Sequence, residues 1–317
     1  MSGEFDFLGV DYVLGTKHID IKVDMPNFKD AIDKTGVRIV HQSVVSNKDL
    51  AVAAANKLIT RLDFDRKIID CLIVVTQSSE RRLPNISSEI QNEIGLATDI
   101  FSMDINQGCS GFVQGMMVAV SLLGQFNNIL LITTDTYRDK LNPEDRSTNT
   151  LFSDAAAASL FVRGNKFALS FHSHTTDGSK SELLKEQPNS YNGKPELYMS
   201  GADIFLWTRK VVASSINSIC EEWAKVDTRR LLVFAHQASK LVIDSLREKS
   251  KNQADFITNY EEIGNTTSSS IPILIADNWT LFTENASLCI GFGVGLSLSA
   301  VVISPTSSKG NQLNTSI

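Results

Sequence analysis

The most informative part of this sequence is Asp104-Ile105-Asn106-Gln107-Gly108-Cys109-Ser110-Gly111-Phe112, which joins a short apolar strand to a long helix of small residues predicted over 113–123. A cysteine at such a junction meets the positive end of the helix dipole, which favours the thiolate that attacks carbonyl carbons. We expect Gly108 and Gly111 to leave room for a substrate beside the sulfur. Cys109 is therefore a candidate nucleophile, although most free cysteines are small buried packing residues.

The composition is that of a globular protein in a reducing compartment. Of 317 residues, 42% are hydrophobic and 21% are charged. The four cysteines, Cys71, Cys109, Cys220 and Cys289, are far apart with no CxxC pair, which argues against a zinc site or a disulfide framework. The net charge of −6 gives no support to nucleic-acid binding. The apolar runs are too short to span a membrane and the N-terminus lacks a signal peptide pattern, so we expect a cytoplasmic protein.

Helical and strand patterns alternate along the chain, which predicts layered α/β packing with sheets covered by helices. The predicted helices cover residues 50–62, 86–94, 113–123, 205–223, 241–249 and 271–278. The predicted strands cover residues 69–76, 100–105, 128–134, 156–162, 230–235, 288–290 and 296–303.

The second half of the chain repeats the order of the first. In both halves a helix runs into an aspartate-containing turn and then an aliphatic strand, at Leu62-Asp63 and again at Val226-Asp227. This indicates an internal duplication. Two polar segments interrupt the pattern: we expect residues 177–194 to form a long surface excursion and residues 304–317 to be frayed.

Two polar residues are candidate partners for the cysteine. His236 ends a strand in Phe234-Ala235-His236-Gln237-Ala238-Ser239, and Asn265 lies in a polar turn before the helix at 271–278. Catalytic groups often lie where strands end and loops begin. Taken alone, each has a structural explanation, as a hydrogen-bonded histidine and as a turn former.

The motifs together resemble a known family. Cys-Ser-Gly-Phe at 109–112, His-Gln-Ala at 236–238, Gly-Asn-Thr at 264–266 and a late Gly-Phe-Gly-x-Gly at 291–295 occur in the order found in β-ketoacyl-acyl-carrier-protein synthase III, of the thiolase superfamily. The resemblance runs from Thr35 to Gly295. It implies a five-layered αβαβα fold built from two related halves, residues 1–170 and 171–317, and a homodimer.

The resemblance also implies roles for these residues. Cys109 would carry an acyl group as a thioester, and His236 and Asn265 would hold the thioester carbonyl of a malonyl extender and stabilise the enolate left by decarboxylation. The backbone N–H groups of Cys109 and Val294 would face the acyl oxygen. The family implies no cofactor and no metal; acyl-coenzyme A or acyl-carrier protein and malonyl-carrier protein are the substrates, and the acyl carrier protein is the partner.

The late loop is expected to approach the substrate through its backbone. Gly291, Gly293 and Gly295 let the chain pass close to a thioester, with Phe292 and Val294 between them. Val294 replaces a glycine of the family pattern, and a backbone donor survives that change.

Other positions also depart from the pattern. Ser239 replaces an asparagine, and Ser153-Asp154-Ala155-Ala156-Ala157 stands where the family has Gly-Asp-Gly-Ala-Gly. No aromatic residue stands near Asp30, where the family stacks one on the adenine of coenzyme A, while Lys34 and Arg38 keep a basic character there. These changes favour a carrier-protein-bound donor over coenzyme A.

Leu83, just before Pro84, matches the position that reaches into the acyl pocket of the partner subunit. Leucine is smaller than the phenylalanine often found there, which predicts a primer longer than acetyl; packing at an interface explains it as well. The basic residues Lys240, Arg247, Lys249 and Lys251 follow His236 along the chain and are candidates for docking an acidic carrier, or else form a solvated helix face.

Several functions stay open at this stage. The leading prediction is decarboxylating condensation, and the alternative is acyl transfer from Cys109 to an oxygen or nitrogen acceptor without decarboxylation. Hydroxymethylglutaryl-type synthesis requires a glutamate where this chain has Gln77, which cannot transfer a proton. An inactive subunit of a heterodimer would be expected to lose the nucleophile. The pathway, whether fatty-acid initiation, a secondary metabolite or acylation of surface sugars, is not given by the sequence.

Overall fold

The structure is a computed structural model that describes residues 3–189, 195–250 and 253–306. Its strands are β1 Glu4–Leu14, β2 Lys17–Asp20, β3 Ile39–Gln42, β4 Cys71–Val75, β5 Phe101–Ile105, β6 Asn128–Asp135, β7 Ala155–Thr176, β8 Leu184–Pro188, β9 Pro195–Met199, β10 Leu232–Ala235, β11 Asp255–Phe256, β12 Ser287–Gly293 and β13 Ser297–Pro305. Its α-helices are α1 Ile21–Asp24, α2 Ile32–Thr35, α3 Asn47–Leu62, α4 Ile86–Glu93, α5 Gly111–Leu122, α6 Arg146–Asn149, α7 Gly201–Trp223, α8 Lys240–Lys249, α9 Tyr260–Ile263, α10 Ser270–Asp277 and α11 Trp279–Glu284.

A single mixed sheet runs through the molecule. In the described part it has nine strands in the order β11-β10-β12-β13-β7-β6-β4-β5, with β1 paired to β7. The long strand β7 pairs with β1 and β6 along its first part and with β13 along its second. The predicted strand 156–162 is therefore only the first part of a 22-residue strand. The predicted boundary between residues 170 and 171 falls inside β7, so the two halves share this strand.

The layers follow from the two faces of buried strands. In β4 every residue is buried; Leu72 and Val74 pack into one hydrophobic cluster, whereas Cys71, Ile73 and Val75 pack into another. A strand that is apolar on both faces requires a layer on each side. The first cluster contains side chains of α3 and α4, and the second contains side chains of α5 and α10.

The second half repeats this arrangement. Strands β10, β12 and β13 share the central cluster with α5 and α10 and pack their other face against α7 and α8. The order α3/α4, strands, α5/α10, strands, α7/α8 gives five layers, and the predicted α/β class is confirmed. None of the helices in the described ranges is long and apolar enough to span a membrane.

The polar segments are more regular than their composition indicates. Strand β8 pairs antiparallel with β9, and Leu184 and Leu197 of this hairpin are buried. Residues 177–189 lie largely at the surface, as expected, but they form a 3₁₀ helix at Gly178–Leu183 and the strand β8. Residues 190–194 lie outside the described residues. Ser304 and Pro305 belong to β13 and pair with β7, so they are not frayed; residues 307–317 lie outside the described residues.

Candidate active site

Cys109 lies in a tight turn between β5 and α5. The N–H of Gly111 donates to the carbonyl of Gly108 at 2.7 Å, and the cysteine side chain between them is 6% exposed. A Cβ added at Gly108 would lie 2.6 Å from Oε1 of Gln77, and one added at Gly111 would lie 2.4 Å from Cγ1 of Val75. The prediction that these glycines leave room for a substrate is wrong for Gly111, where Val75 fills the space, whereas Gly108 lines a cavity beside the sulfur.

The environment of the sulfur opposes ionisation. Burial and, after it, the carboxylate of Asp135 raise the pKa of the Cys109 thiol to about 12, although the backbone N–H groups of Cys109 and Val294 act in the opposite direction. The position before α5 predicts a favoured thiolate. In the free site the net shift is opposite to that prediction, because desolvation favours the neutral thiol.

His236 follows β10 directly and is 2% exposed. Its Nδ1 lies 2.7 Å from Oγ of Ser270, and its ring meets the ring of Phe292 almost perpendicularly, with centroids 5.5 Å apart. Burial lowers the pKa of this imidazole to about 3. A neutral imidazole can donate one hydrogen bond and accept another, and Ser270 fixes which nitrogen faces the protein.

Asn265 is held from both sides by its backbone. Its N–H donates to the carbonyl of Leu151 at 2.8 Å, and its carbonyl accepts from the N–H of Ser153 at 2.9 Å. Its side-chain Oδ1 accepts from the N–H of Thr267 at 2.9 Å. The carboxamide is therefore oriented, and its NH₂ group has no hydrogen-bond partner within the described ranges.

The three predicted residues come together in the fold. Cys109, His236 and Asn265 all line one cavity of about 410 Å³, together with Phe292 and Gly293. A Cβ added at Gly293 would lie 2.9 Å from Cβ and 3.0 Å from Sγ of Cys109. The glycine thus keeps open the space beside the sulfur, which is where a thioester must reach it.

The same sulfur borders a second cavity. This cavity has a volume of about 750 Å³ and is lined by both apolar and polar groups. Phe152 and Val294 supply part of its wall, and Tyr137 and Gln77 contribute polar atoms. Cys109 therefore stands between two spaces, one of which also contains the histidine and the asparagine. Neither Tyr137 nor Phe152 is predicted from the sequence to line the site.

Asp135, also unassigned from the sequence, links the halves around the site. Its buried carboxylate accepts hydrogen bonds from the N–H of Gln77 at 3.0 Å and from the hydroxyls of Ser78 at 3.1 Å and Ser268 at 2.6 Å. The hydroxyl of Thr267 donates to it at 2.5 Å. This carboxylate joins the turn after β4 to the segment that orients Asn265. The signal in the sequence was a charged residue directly after the apolar run 128–134.

The residues assigned to the partner and the donor lie at the surface. Leu83 is 84% exposed and lines neither cavity, although the adjacent Arg81 and Arg82 line the larger one. Lys34 lines the smaller cavity and is exposed, as is Arg146, which the sequence analysis missed. Exposed residues in a cavity wall mark its opening, so cations flank the entrance to the smaller cavity.

Acidic side chains pair with part of the predicted basic residues. Ion pairs join Arg38 to Asp20 and Glu262, and join both Lys240 and Arg247 to Asp244. Lys249 is exposed at the end of α8, and Lys251 lies outside the described residues. The positive charge along α8 is therefore weaker than the sequence indicates. Across residues 3–189, 195–250 and 253–306, no group of three or more histidine, cysteine or acidic side chains could hold a metal ion.

Comparisons with known proteins agree with this geometry. A family model described as 3-Oxoacyl-[acyl-carrier-protein (ACP)] synthase III matches residues 103–178, and the model for its C-terminal part matches residues 224–304. The chain is 30% identical over 292 residues to a β-ketoacyl-[acyl-carrier-protein] synthase III of Streptococcus thermophilus, covering 85% of this chain and 88% of that protein. It is 30% identical over 308 residues to the Streptococcus agalactiae protein of the same name, covering 90% and 94%.

A solved structure shows the same architecture. The 3-oxoacyl-(acyl-carrier protein) synthase of Burkholderia xenovorans superposes with a TM-score of 0.82 at 26% identity, over 94% of this chain and 93% of that chain. Sequence and fold thus agree over nearly the whole length, including the loops that carry the cysteine, the histidine and the asparagine. The chain belongs to the β-ketoacyl-acyl-carrier-protein synthase III family.

Proposed function

We propose that this chain catalyses a decarboxylating condensation. An acyl group is first transferred to the sulfur of Cys109, and a malonyl thioester then loses carbon dioxide to give an enolate. The enolate carbon bonds to the acyl carbon, the bond from that carbon to the Cys109 sulfur breaks, and a 3-ketoacyl thioester leaves. The observation that carries this proposal is the convergence of Cys109, His236 and Asn265 on one cavity, with Gly293 leaving the sulfur accessible.

The two nitrogen donors suit the decarboxylation step. Asn265 offers an oriented NH₂ group because its Oδ1 is already bonded to Thr267. Oγ of Ser270 lies 2.7 Å from Nδ1 of His236 and 3.2 Å from the carbonyl oxygen of Thr267, and its one hydrogen can be donated to either. When Ser270 donates to Nδ1, the other ring nitrogen of His236 carries the proton and becomes a donor. Burial keeps this imidazole uncharged, with a pKa of about 3. Neutral donors stabilise the developing enolate oxyanion without binding the departing carboxylate as a cation would.

The test combines intact-mass and product measurements. The protein is incubated with an acyl thioester alone and then with malonyl-carrier protein, and the Cys109 adduct, carbon dioxide and 3-ketoacyl product are measured. Cys109→Ala should abolish the adduct. Asn265→Ala should keep the adduct and lower carbon dioxide release on the order of 100-fold to 1000-fold, as removal of one oxyanion donor does. An adduct that is passed to an acceptor with no release of carbon dioxide would instead favour acyl transfer.

We propose an acyl carrier protein as the partner that delivers the extender. Its thioester would enter the smaller cavity at the end where Lys34 and Arg146 are exposed. Cations at an entrance attract an acidic carrier and raise its rate of association. Reversing both to glutamate should raise the KM for malonyl-carrier protein and leave the KM for malonyl-pantetheine nearly unchanged. Equal effects on both substrates would argue against carrier docking at this entrance.

We also propose a homodimer in which Leu83 covers the larger cavity of the partner. In the described part of the chain β5 pairs only with β4, so its other edge is unpaired, and Phe101 on it is 45% exposed. Leu83 is a large aliphatic residue left 84% exposed. Exposed strand edges and apolar groups favour association. A monomer in light scattering at micromolar concentration would contradict this arrangement. A cytoplasmic location stays a prediction.

A further inference from the structure

The larger cavity beside Cys109 has a mixed lining that a saturated hydrocarbon chain would not need. Phe152, Leu184 and Leu197 contribute apolar side chains, whereas Gln77 and Tyr137 contribute a carboxamide and a phenol. Charged residues also line this cavity: Arg81, Arg82, Asp104, Lys140, Lys185 and Glu186. Of the uncharged polar side chains, those of Gln77 and Tyr137 are the largest. On the proposed function, this space receives the acyl group bound to the sulfur, because the histidine and the asparagine occupy the other cavity. The polar pair is therefore in a position to contact the primer.

The carboxamide of Gln77 lies directly against the nucleophile turn. Its Oε1 would be 2.6 Å from a Cβ on Gly108, so it can occupy this position only because residue 108 is a glycine. The N–H of Gln77 donates to Asp135 at 3.0 Å, which fixes the backbone from which the side chain extends. The carboxamide itself has no hydrogen-bond partner among the residues that the structure describes.

The phenol of Tyr137 is the second polar group. Its backbone N–H donates to Asp154 at 2.8 Å, and its ring packs against Phe152 with centroids 6.2 Å apart. The side chain is 8% exposed, and its hydroxyl has no partner in the part of the chain described. Burial raises its pKa well above the usual value, and the charge of Asp135 acts in the same direction, so the hydroxyl is a neutral donor in the cavity that borders the sulfur. A polar group that faces a cavity and has no protein partner is free to hydrogen-bond a ligand or water.

We propose that Gln77 and Tyr137 bind a hydroxyl or oxo oxygen on the acyl primer, so that this enzyme prefers oxygen-substituted primers to unsubstituted primers of the same length. The inference rests on the proposed function. Both groups are uncharged and can each donate a hydrogen bond, which suits a neutral oxygen. A site built to hydrogen-bond a substrate oxygen discriminates strongly against the analogue that lacks it, because its own polar groups are then left unpaired.

The experiment compares acylation of Cys109 by pantetheine thioesters of equal chain length, which avoids dependence on the carrier. Butyryl-pantetheine is compared with 2-hydroxybutyryl-, 3-hydroxybutyryl- and 3-oxobutyryl-pantetheine, and kcat/KM for adduct formation is read by intact mass. At least one oxygenated primer should react about tenfold faster than butyryl, the value of one good hydrogen bond. Gln77→Leu and Tyr137→Phe should each reduce that ratio severalfold. Gln125→Leu and Tyr198→Phe, exposed positions outside both cavities, should not change it.

The ratio of kcat/KM for an oxygenated primer to kcat/KM for butyryl distinguishes lost recognition from damage to the fold. A misfolded variant reacts more slowly with both primers, so its ratio does not change. Butyryl reacting as fast as all three oxygenated primers would overturn the inference. So would a ratio that Gln77→Leu and Tyr137→Phe both leave intact. A butyryl adduct formed without preference would leave the proposed function standing. If none of the four acyl groups formed an adduct, whether supplied on pantetheine or on carrier protein, the proposed function itself would be overturned.

Discussion

Mild acid should destabilise this protein through one buried side chain. The imidazole of His236 has a pKa of about 3 in the folded chain, against an ordinary value of 6.5. Below pH 6.5 the unfolded chain binds a proton at this residue that the folded chain does not bind. This contribution to stability is therefore complete above pH 6.5 and is lost as the pH falls toward 3. Linkage over this window gives a loss of about 2 kcal/mol between pH 7.5 and pH 5 from this residue alone.

Urea denaturation at pH 7.5 and pH 5 measures the loss, with His236→Asn beside the unchanged protein. Asparagine does not titrate, so the difference between the two pH values should shrink by about 2 kcal/mol in the variant. Ser270→Ala is the matched control: it removes the hydrogen bond to Nδ1 but keeps the imidazole, so stability should fall at both pH values while the pH dependence persists. Burial also lowers the pKa of His41, and this residue makes the same contribution to the pH dependence of the free energy of unfolding in all three proteins. If the free energy of unfolding of His236→Asn decreased between pH 7.5 and pH 5 as much as that of the unchanged protein, the assignment of a neutral buried imidazole would be refuted.

Three further outcomes follow from the packing around the sulfur. Gly293→Ala should slow acylation of Cys109 on the order of 100-fold, because the added Cβ would lie 3.0 Å from Sγ. Gly124→Ala is the control and should not change this rate. Equal rates of acylation in the two variants would contradict the geometry. Asp135→Asn should cost about 3 kcal/mol in urea unfolding, since a carboxamide cannot accept from all the donors that the carboxylate binds, and an unchanged midpoint would count against that network. Alkylation of Cys109 by iodoacetamide should still rise about tenfold per pH unit between pH 7.5 and 9.5, because burial raises the pKa of the thiol to about 12; a plateau in that range would show a lower pKa.

The layers of the fold were predictable because they follow from local patterns. An aliphatic run such as β4 implies a layer on each side, and the helix and strand alternation implies which elements cover which face. The length of β7 was not predictable in the same way. Residues 163–166 are polar and exposed, so the local strand pattern ends there, while pairing with β1 and β13 continues the strand to Thr176. Partners distant in sequence decide that continuation.

The site shows the same division between local and distant causes. The cysteine, the histidine and the asparagine could be predicted from short motifs, because each lies in a turn that follows a strand or precedes a helix. The protonation state of the Cys109 sulfur was not predictable in this way. The helix terminus is a local feature, whereas desolvation depends on every layer that surrounds the sulfur. Gln77 was noted only as a residue that cannot transfer a proton. Its contact with the turn of Gly108 needed two neighbouring strands to be placed side by side.

A neutral thiol at the centre of the site constrains the acyl-transfer step. Burial raises the pKa of Cys109 and lowers the pKa of His236, so both shifts oppose a resting thiolate–imidazolium pair in the free site. The proton must instead leave as the sulfur bonds to the acyl carbon. In the same step the bond from that carbon to the donor sulfur breaks, and the departing sulfur needs a proton. If the proton of Cys109 is transferred to the departing sulfur of the donor, neither sulfur carries a charge in the buried site. Burial thus keeps the thiol inert toward oxidants and alkylating agents until a thioester arrives to accept its proton.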